Sequence, residues 1–505
     1  MSARDAVRRA LGWLAALLLL APAAFHLVGL ARIFAARAVF PLDIHWLEGG
    51  EIYHGWRILH GQPVYRLGDG GFLPYPYPPV HFALLAAVGK LFGFGYAATR
   101  GLSIAAFALA MFVLAREARH GWQDLPRGAS ARVKRAWSAS IATIAVACVA
   151  AAYADLAGWF DVVRNDSVGM ALVVLGAAPL TRARVGFVGV LASSVAFSAA
   201  VYTRQTHALF AIAASIYLVA RRGTRVKAFV LAAAMLVECA ITLVALQHAT
   251  GGAFATWLFN TGHHAVHPER FAEGMIVLAK ITPFAAALPV AALLVALRVP
   301  LAPRTALWLT MLAASLPVSL LPYAKDFGYV NNMVPVVILG APTALILAAD
   351  GARAWSRPHA ARAFMILLLV GQSFFLSAKR YDLARWIPTT EDRRRADALN
   401  AAVAGLEGDV LCPIHTMVPL LAGHPESEQA SFIAYLDAHA AGMPNVSAAS
   451  YGAYLLARRP QWVLLTSREL ENELRWLMRN DYVLDRELDA PSNVDSSPTQ
   501  FYRLR

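Results

Sequence analysis

The apolar positions of this chain come in long unbroken runs, separated by short clusters of Arg and Lys, rather than in the alternating pattern of a soluble core. A bilayer hydrocarbon core about 30 Å thick takes ~20 consecutive apolar residues per helix, because in lipid only the intrahelical ladder satisfies the backbone. The first run covers residues 10 to 33, behind Arg4, Arg8 and Arg9. Its Ala21-Pro22-Ala23-Ala24 stretch has the form of a signal-peptidase site, but hydrophobicity continues to Phe34, so the run reads as an uncleaved helix. Further runs lie near 99–115, 136–155, 167–181, 186–203, 206–220, 227–247, 274–297, 305–322, 333–350 and 363–379. The pattern predicts an α-helical polytopic membrane protein of about 11 transmembrane helices. One more apolar run, from Val80 to Phe94, is short and broken by Gly89 and Lys90, and reads as a helix lying at the outer interface.

Alternate loops collect the cations: Arg116 to Arg135, Arg182 and Arg184, Arg221 to Lys227, Arg298 and Arg304, and Arg353 to Arg362. The positive-inside rule then places the N-terminus in the cytoplasm and two informative loops outside, 34–97 and 156–166. Past residue 380 the pattern changes. Charges become frequent, and short β-type runs appear at Val410–Leu411, Trp462–Leu465, Tyr482–Leu484 and Phe501–Leu504, with helical patterns near 390–405 and 467–479. The expected organisation is a transmembrane domain, 1–380, and a small extracytoplasmic soluble α/β domain, 381–505.

Composition narrows the class. Of 505 residues, 58% are hydrophobic and 15% charged; an ordinary cytosolic enzyme carries about 25% charged residues, and disorder requires low hydrophobicity. The net charge of +13 sits in the loop clusters, as a topology signal and not a phosphate-backbone footprint, so no nucleic-acid partner is expected. Cys148, Cys239 and Cys412 are scattered, without zinc spacing or a disulfide framework.

Candidate chemistry gathers in the outer loops. In the first, Trp46, Tyr53, Trp56 and Leu59 recur at helical spacing, which predicts a surface helix with an aromatic face in the interface. Asp43 stands just before it, either as an N-terminal cap or, with Glu48 and Glu51, as a carboxylate able to act as base toward a hydroxyl. Tyr75-Pro76-Tyr77-Pro78-Pro79 forces an extended entry into the next helix. The second loop holds Asp161, Arg164 and Asp166, paired to one another or facing a cavity where they bind a metal or a sugar. Arg204 is a match for a lipid phosphate or a snorkelling residue. His263, His264 and His267 lack regular ligand spacing, so a divalent metal stays open; Lys325 either neutralises a phosphate or pairs with Asp326. Glu238, inside a run, reads as a hydrogen-bonded helix contact.

These residues occur in an order that resembles the polytopic lipid-phosphosugar glycosyltransferases of the GT-C superfamily, and within it family 39, with the protein O-mannosyltransferases and lipid A aminoarabinose transferases. An acidic first loop (Asp43, Glu48) is followed by Tyr77-Pro78-Pro79 opening a helix that ends Lys90-Leu-Phe-Gly93. Then come Arg100, the Arg164-x-Asp166 element and Thr203-Arg204-Gln205-Thr206. The likeness covers residues 40 to 210, and here the acids are spaced as Asp43-x4-Glu48 where many relatives have adjacent ones. The resemblance implies an enzyme of a bacterial inner membrane that moves a sugar from a polyprenyl-phosphate donor to an extracytoplasmic acceptor, inverting the anomeric centre. It also implies Asp43 as first candidate for the base, with Glu48 and Asp166 as further acids. Asp161 would be a second acid or metal ligand; Arg164, Arg204 and Lys325 would lie near the phosphate, and Tyr77, His263 and His264 would contact substrate. A lipid-linked sugar flippase, or a non-catalytic subunit of an envelope-polysaccharide complex, is the competing class; a flippase predicts polar groups near the bilayer midplane.

Overall fold

The computed structural model describes residues 3–505 except 67–70, 126–129, 183, 261–262, 355–366, 368–369, 493 and 495. The apolar runs are helical. The bundle comprises α1 (Ala3–Ala38), α4 (Tyr96–Trp122), α5 (Ala131–Ala151), α6 (Asn165–Ala177), α7 (Phe187–Val201), α8 (Ala208–Ala220), α9 (Arg225–Ala249) and the helices that follow residue 267, with α2 (Glu48–Leu59), α3 (Val80–Phe92) and α10 (Ala253–Asn260) in the connections. Six helical segments of the described residues are long and apolar enough to cross a membrane: Leu20–Ala38, Tyr96–Trp122, Ala131–Ala151, Arg225–Ala249, Pro303–Tyr323 and Val330–Arg353. This is a multi-pass membrane protein. At 1.5 Å per residue, the 13 residues of α3 extend about 20 Å and the 27 of α4 about 40 Å, so of these two only α4 matches a bilayer.

One expected span takes a different form. The run 274–297 is two helices, α11 (Pro268–Ile281) and α12 (Pro283–Ala296), because Pro283 cannot donate to the ladder and opens a new helix after Thr282. The following helices, α13 (Pro303–Tyr323) and α14 (Val334–Ala354), agree with the runs that predicted them. Of the run 363–379, the start lies outside the described residues and 370–378 is helical. Glu238 accepts from the Ser194 and Ser198 hydroxyls at 2.8 and 2.6 Å, joining α9 to α7 as a helix contact.

The tail builds a four-stranded sheet of β1 (Val410–Leu411), β2 (Trp462–Leu465), β3 (Tyr482–Glu487) and β4 (Gln500–Leu504), in the order β1-β2-β4-β3. β1 and β2 are parallel, and β4 is antiparallel to both its neighbours. Its helices are α15 (Thr390–Ala404), α16 (Met417–Leu421), α17 (Phe432–Ala440), α18 (Ala448–Arg458) and α19 (Asn472–Met478). Leu411, Phe432, Tyr451, Val463 and Leu465 share one core with Val64, Tyr65, Leu73 and Tyr75 of the first loop. On the opposite side Leu399, Val410 and Phe501 close over Phe40 and Leu42. The tail and the first loop therefore bury each other.

The helix α2 lies at this junction, which departs from the expected surface helix. Tyr53 is buried, and its hydroxyl accepts from the backbone N–H of Gln429 at 3.0 Å, while Arg57 donates to Glu428 at 3.0 Å. Tyr53 of this face meets the tail, while Leu59 stays exposed. Gly49 and Gly50 permit the close fit: a Cβ on Gly49 would stand 2.9 Å from the Asp43 carboxylate, and one on Gly50 would overlap the Tyr75 ring.

Candidate functional site

Among the described residues, each carboxylate of the two loops 34–97 and 156–166 is claimed by a specific partner, and those pairings fix the local chain. Glu48, fully buried on α2, takes a two-pronged contact from Arg100 of α4, at 3.0 Å to Oε1 and 2.7 Å to Oε2. The same guanidinium donates to the carbonyls of Arg37, Phe40 and Leu42, at 2.9, 2.7 and 2.5 Å. Glu48 also accepts from the N–H of Ile44 and of Val163. Burial alone would raise the Glu48 pKa; the Arg100 guanidinium and these donors outweigh it and hold the carboxyl below its ordinary value. One residue thus pins the end of α1, the start of α2 and the second outer loop.

The second-loop residues are not paired to one another. Asp161 accepts from Tyr153 at 3.0 Å and lies 3.1 Å from the Arg37 guanidinium. Arg164 donates to Glu51 at 2.8 Å and to the Tyr77 hydroxyl at 2.5 Å. Asp166 accepts from Arg204, which also donates to the Asn332 side-chain oxygen. Arg204 is buried at 8% exposure, so it is held by protein groups and does not snorkel. Asp43 caps nothing. The residue before α2 is Leu47, without a side-chain cap, and the Asp43 carboxylate lies 2.7 Å from His415 Nδ1 of the tail. Burial raises the Asp43 pKa, against the opposing influence of His415.

Tyr77 is positioned by a histidine that carries no sequence mark of this role. His54 Nδ1 bonds the Gly50 carbonyl at 2.5 Å, and its Nε2 accepts from the Tyr75 N–H at 2.9 Å. Burial pushes its pKa down to about 3, which keeps the neutral tautomer this arrangement needs. The extended Tyr-Pro segment is clamped to α2, and Tyr77 is delivered to Arg164. The two later polar segments are also zipped together: Val266 bridges Lys325, His267 N donates to Ala324 O at 2.8 Å, and Asp326 takes a 2.7 Å contact from His267.

Between these elements lies a cavity of about 760 Å³, within the range of ligand sites. Tyr77, Arg164, Arg204, His264 and Lys325 of the expected site residues line it. Asp43, Glu48, Asp161, Asp166 and His263 do not; His263 is exposed, and His264 pairs with Asp437 of the tail at 3.1 Å. The tail contributes Ile433, Asp437 and Arg468 to the wall, and the loops add His45, Trp46, Trp159 and Asn332. None of the tail residues carried a sequence signal, because their role depends on where the sheet docks. Among the described residues no group of three or more His, Cys, Asp or Glu is placed to hold a metal. The acids a metal would need are engaged with Arg37 and Arg204, so they do not fit that role.

Glu51 stands behind Arg164, fully buried, with His81 3.8 Å away and its Oε2 without a hydrogen-bond partner. Burial raises its pKa to about 7, opposed by Arg164 and assisted by the negative charge of Asp166. A carboxyl raised in the folded state binds more protons folded than unfolded, so its contribution is present at low pH and is lost as pH rises toward 7. Between pH 5 and 8 wild type should lose roughly 2 kcal/mol relative to Glu51→Gln. Thermal unfolding of both proteins across that range checks this; parallel pH profiles would show that Glu51 does not titrate there.

Comparison with family models and with curated proteins gives no match. Among solved structures, the chain is similar to ArnT from Cupriavidus metallidurans bound to undecaprenyl phosphate, with a TM-score of 0.56 and 14% identity over 97% of this chain and 98% of that one. It is similar also to the mycobacterial arabinofuranosyltransferase AftD (TM-score 0.48, 13% identity, 96% of this chain and 40% of that one). A third likeness is to the oligosaccharyltransferase AglB of Archaeoglobus fulgidus (TM-score 0.41, 11% identity, 87% of this chain and 69% of that one).

Proposed function

We propose that this chain, whose fold is that of the GT-C membrane glycosyltransferases, transfers a sugar from a polyprenyl-phosphate donor to an extracytoplasmic acceptor with inversion at the anomeric carbon. The observation that carries the reading is the convergence of Arg164, Arg204 and Lys325 on one cavity. Two of the three are guanidinium groups, whose fork matches phosphate oxygens. Undecaprenyl phosphate is the molecule bound in the ArnT structure of the same fold. The enzyme sits in a bacterial inner membrane, with its N-terminus in the cytoplasm and its tail outside.

The acceptor hydroxyl oxygen attacks the anomeric carbon as the bond from that carbon to the phosphate oxygen breaks. The bonding pair leaves with polyprenyl phosphate, and the hydroxyl proton passes to a base. Preorganised cations in a dry site stabilise the departing phosphate. Of the three acids Asp43 is the one proposed as that base, because Glu48 and Asp166 are each held by an arginine whereas Asp43 is paired with His415; it is buried behind the cavity wall, so acceptor binding has to open a path to it. Its raised pKa favours accepting a proton. Glu48 and Asp166 are then positioning residues.

Asp43→Asn keeps the shape and a hydrogen bond to His415 while removing the base. Turnover of a panel of radiolabelled polyprenyl-phosphate sugars in membranes should fall about 10²- to 10⁴-fold at matched expression. Full activity in this variant would remove Asp43 from the chemistry. No turnover of any donor by wild type would overturn the transferase reading itself.

A further inference from the structure

Behind the Arg164 guanidinium lies a carboxyl with half of its bonding unused. Glu51 Oε1 accepts from Arg164 Nη1 at 2.8 Å, and among the described residues Oε2 has no hydrogen-bond partner. His81 of α3 places its Nε2 3.8 Å from that Oε2, and neither nitrogen of this buried ring is hydrogen-bonded to a described residue. Arg164 lines the cavity, while Glu51 is fully buried and does not. Glu51 therefore acts on the cavity through the pair it forms. With Glu51 ionised the pair is neutral; with Glu51 protonated it presents the whole charge of Arg164.

Facing Glu51 are Arg164 and Asp166 of the second loop, His81 of α3, and Tyr65, Tyr75 and Tyr77 of the first loop. Burial raises the pKa of all three tyrosines and pushes that of His81 down to about 3, so these groups stay neutral through the physiological range. Burial alone would lower the Arg164 pKa; Tyr77, Glu51 and Asp166 outweigh it and keep the guanidinium charged. Asp166 is paired with Arg204. Glu51, at about 7, is poised to change its charge near neutral pH. An anion brought to Arg164 disfavours the ionised form of Glu51, so anion binding and protonation of the carboxyl favour each other by the same free energy. The unbonded His81 Nε2 can accept from a protonated Oε2 once a side-chain shift of about 1 Å closes the gap.

We infer that the donor phosphate is taken up together with a proton, and that Glu51, with His81 beside it, is the positioning residue that receives the proton. Arrival of the phosphate turns the Glu51–Arg164 pair from neutral to positive, and loss of the phosphate from the cavity releases the proton again. This rests on the transferase reading, since the anion is the phosphate of that donor.

The test is calorimetric titration of the full-length protein in nanodiscs with methyl farnesyl phosphate. This short polyprenyl phosphodiester, like the donor, does not itself titrate near neutral pH. Measured at about pH 7.5 in two buffers of unequal ionisation enthalpy, wild type should take up roughly half a proton per probe bound, and Glu51→Gln close to none. From about pH 6.5 to 8.5 the wild-type affinity should fall about fivefold, while that of Glu51→Gln stays level. Glu51→Asp keeps a titrating carboxyl and should recover part of the uptake, which a merely structural role for the side chain would not give. Binding by wild type without proton uptake, or with uptake unchanged in Glu51→Gln, overturns the inference and leaves the donor site in place. No binding by wild type removes instead the phosphate site on which the transferase reading stands.

Discussion

Exchanging Arg100 for methionine is expected to destabilise the protein around the first loop by about 3–5 kcal/mol, the effect of stranding one partner of a buried ion pair. Both members are fully buried, and the guanidinium serves three backbone carbonyls as well as Glu48. Those carbonyls belong to Arg37, Phe40 and Leu42, where α1 turns into the first loop, so their loss of a donor releases the segment carrying Asp43. Lysine at position 100 keeps the charge but cannot reach both carboxylate oxygens and three carbonyls at once, and should recover little. The double variant Arg100→Met with Glu48→Leu removes both charges and should regain part of the stability. Fluorescence-detected size-exclusion melts of the three variants read this out. A single Arg100→Met variant as stable as wild type would show that the network holds nothing.

The second large effect is on turnover. Arg204→Ala should lower the rate of sugar transfer about 10²- to 10³-fold, the range found when one preorganised donor to a developing anion is removed. The residue is held by Asp166 and Asn332 and lines the cavity. Arg204→Lys should fall between, retaining a positive charge without the fork. Because charge accumulates on the phosphate as it leaves, kcat should drop more than KM rises. A rise in KM alone would make Arg204 a ground-state binding group and place the stabilisation of the leaving phosphate on Arg164 or Lys325.

Much of the architecture was legible because the bilayer imposes it. An apolar run of sufficient length has one available structure, and the short β-type runs of the tail fall on β1 to β4. What misled was any feature decided by a distant partner or a single bond donor. The run 274–297 is apolar throughout, yet one missing N–H at Pro283 divides it. Asp43 stands where a cap is expected, but its partner, His415, lies 372 residues away. Arg164 and Asp166 look like one element on two residues' spacing; the chain turns them to different partners, Glu51 and Arg204. Arg204 was singled out by a charge near membrane depth, Tyr77 by the resemblance and Lys325 by a charge in a polar segment, and all three line the cavity. His45, Asp437 and Arg468 had no such mark, since a lone residue in a polar loop is only given meaning by what docks on it.

The core shared by the first loop and the tail also has a consequence in time. Ribosomes add about 5–20 residues per second, so the 372 positions separating Asp43 from His415 correspond to roughly 20–70 s of synthesis. For that interval Val64, Tyr65, Leu73 and Tyr75 have emerged while the residues that cover them have not been made. The nascent loop must be sheltered by lipid or by a chaperone until translation ends. The cavity, whose wall includes Arg468, is completed only when nearly the whole chain has been delivered, so a polypeptide stalled or cut short before the tail inserts as a bundle without a finished chamber.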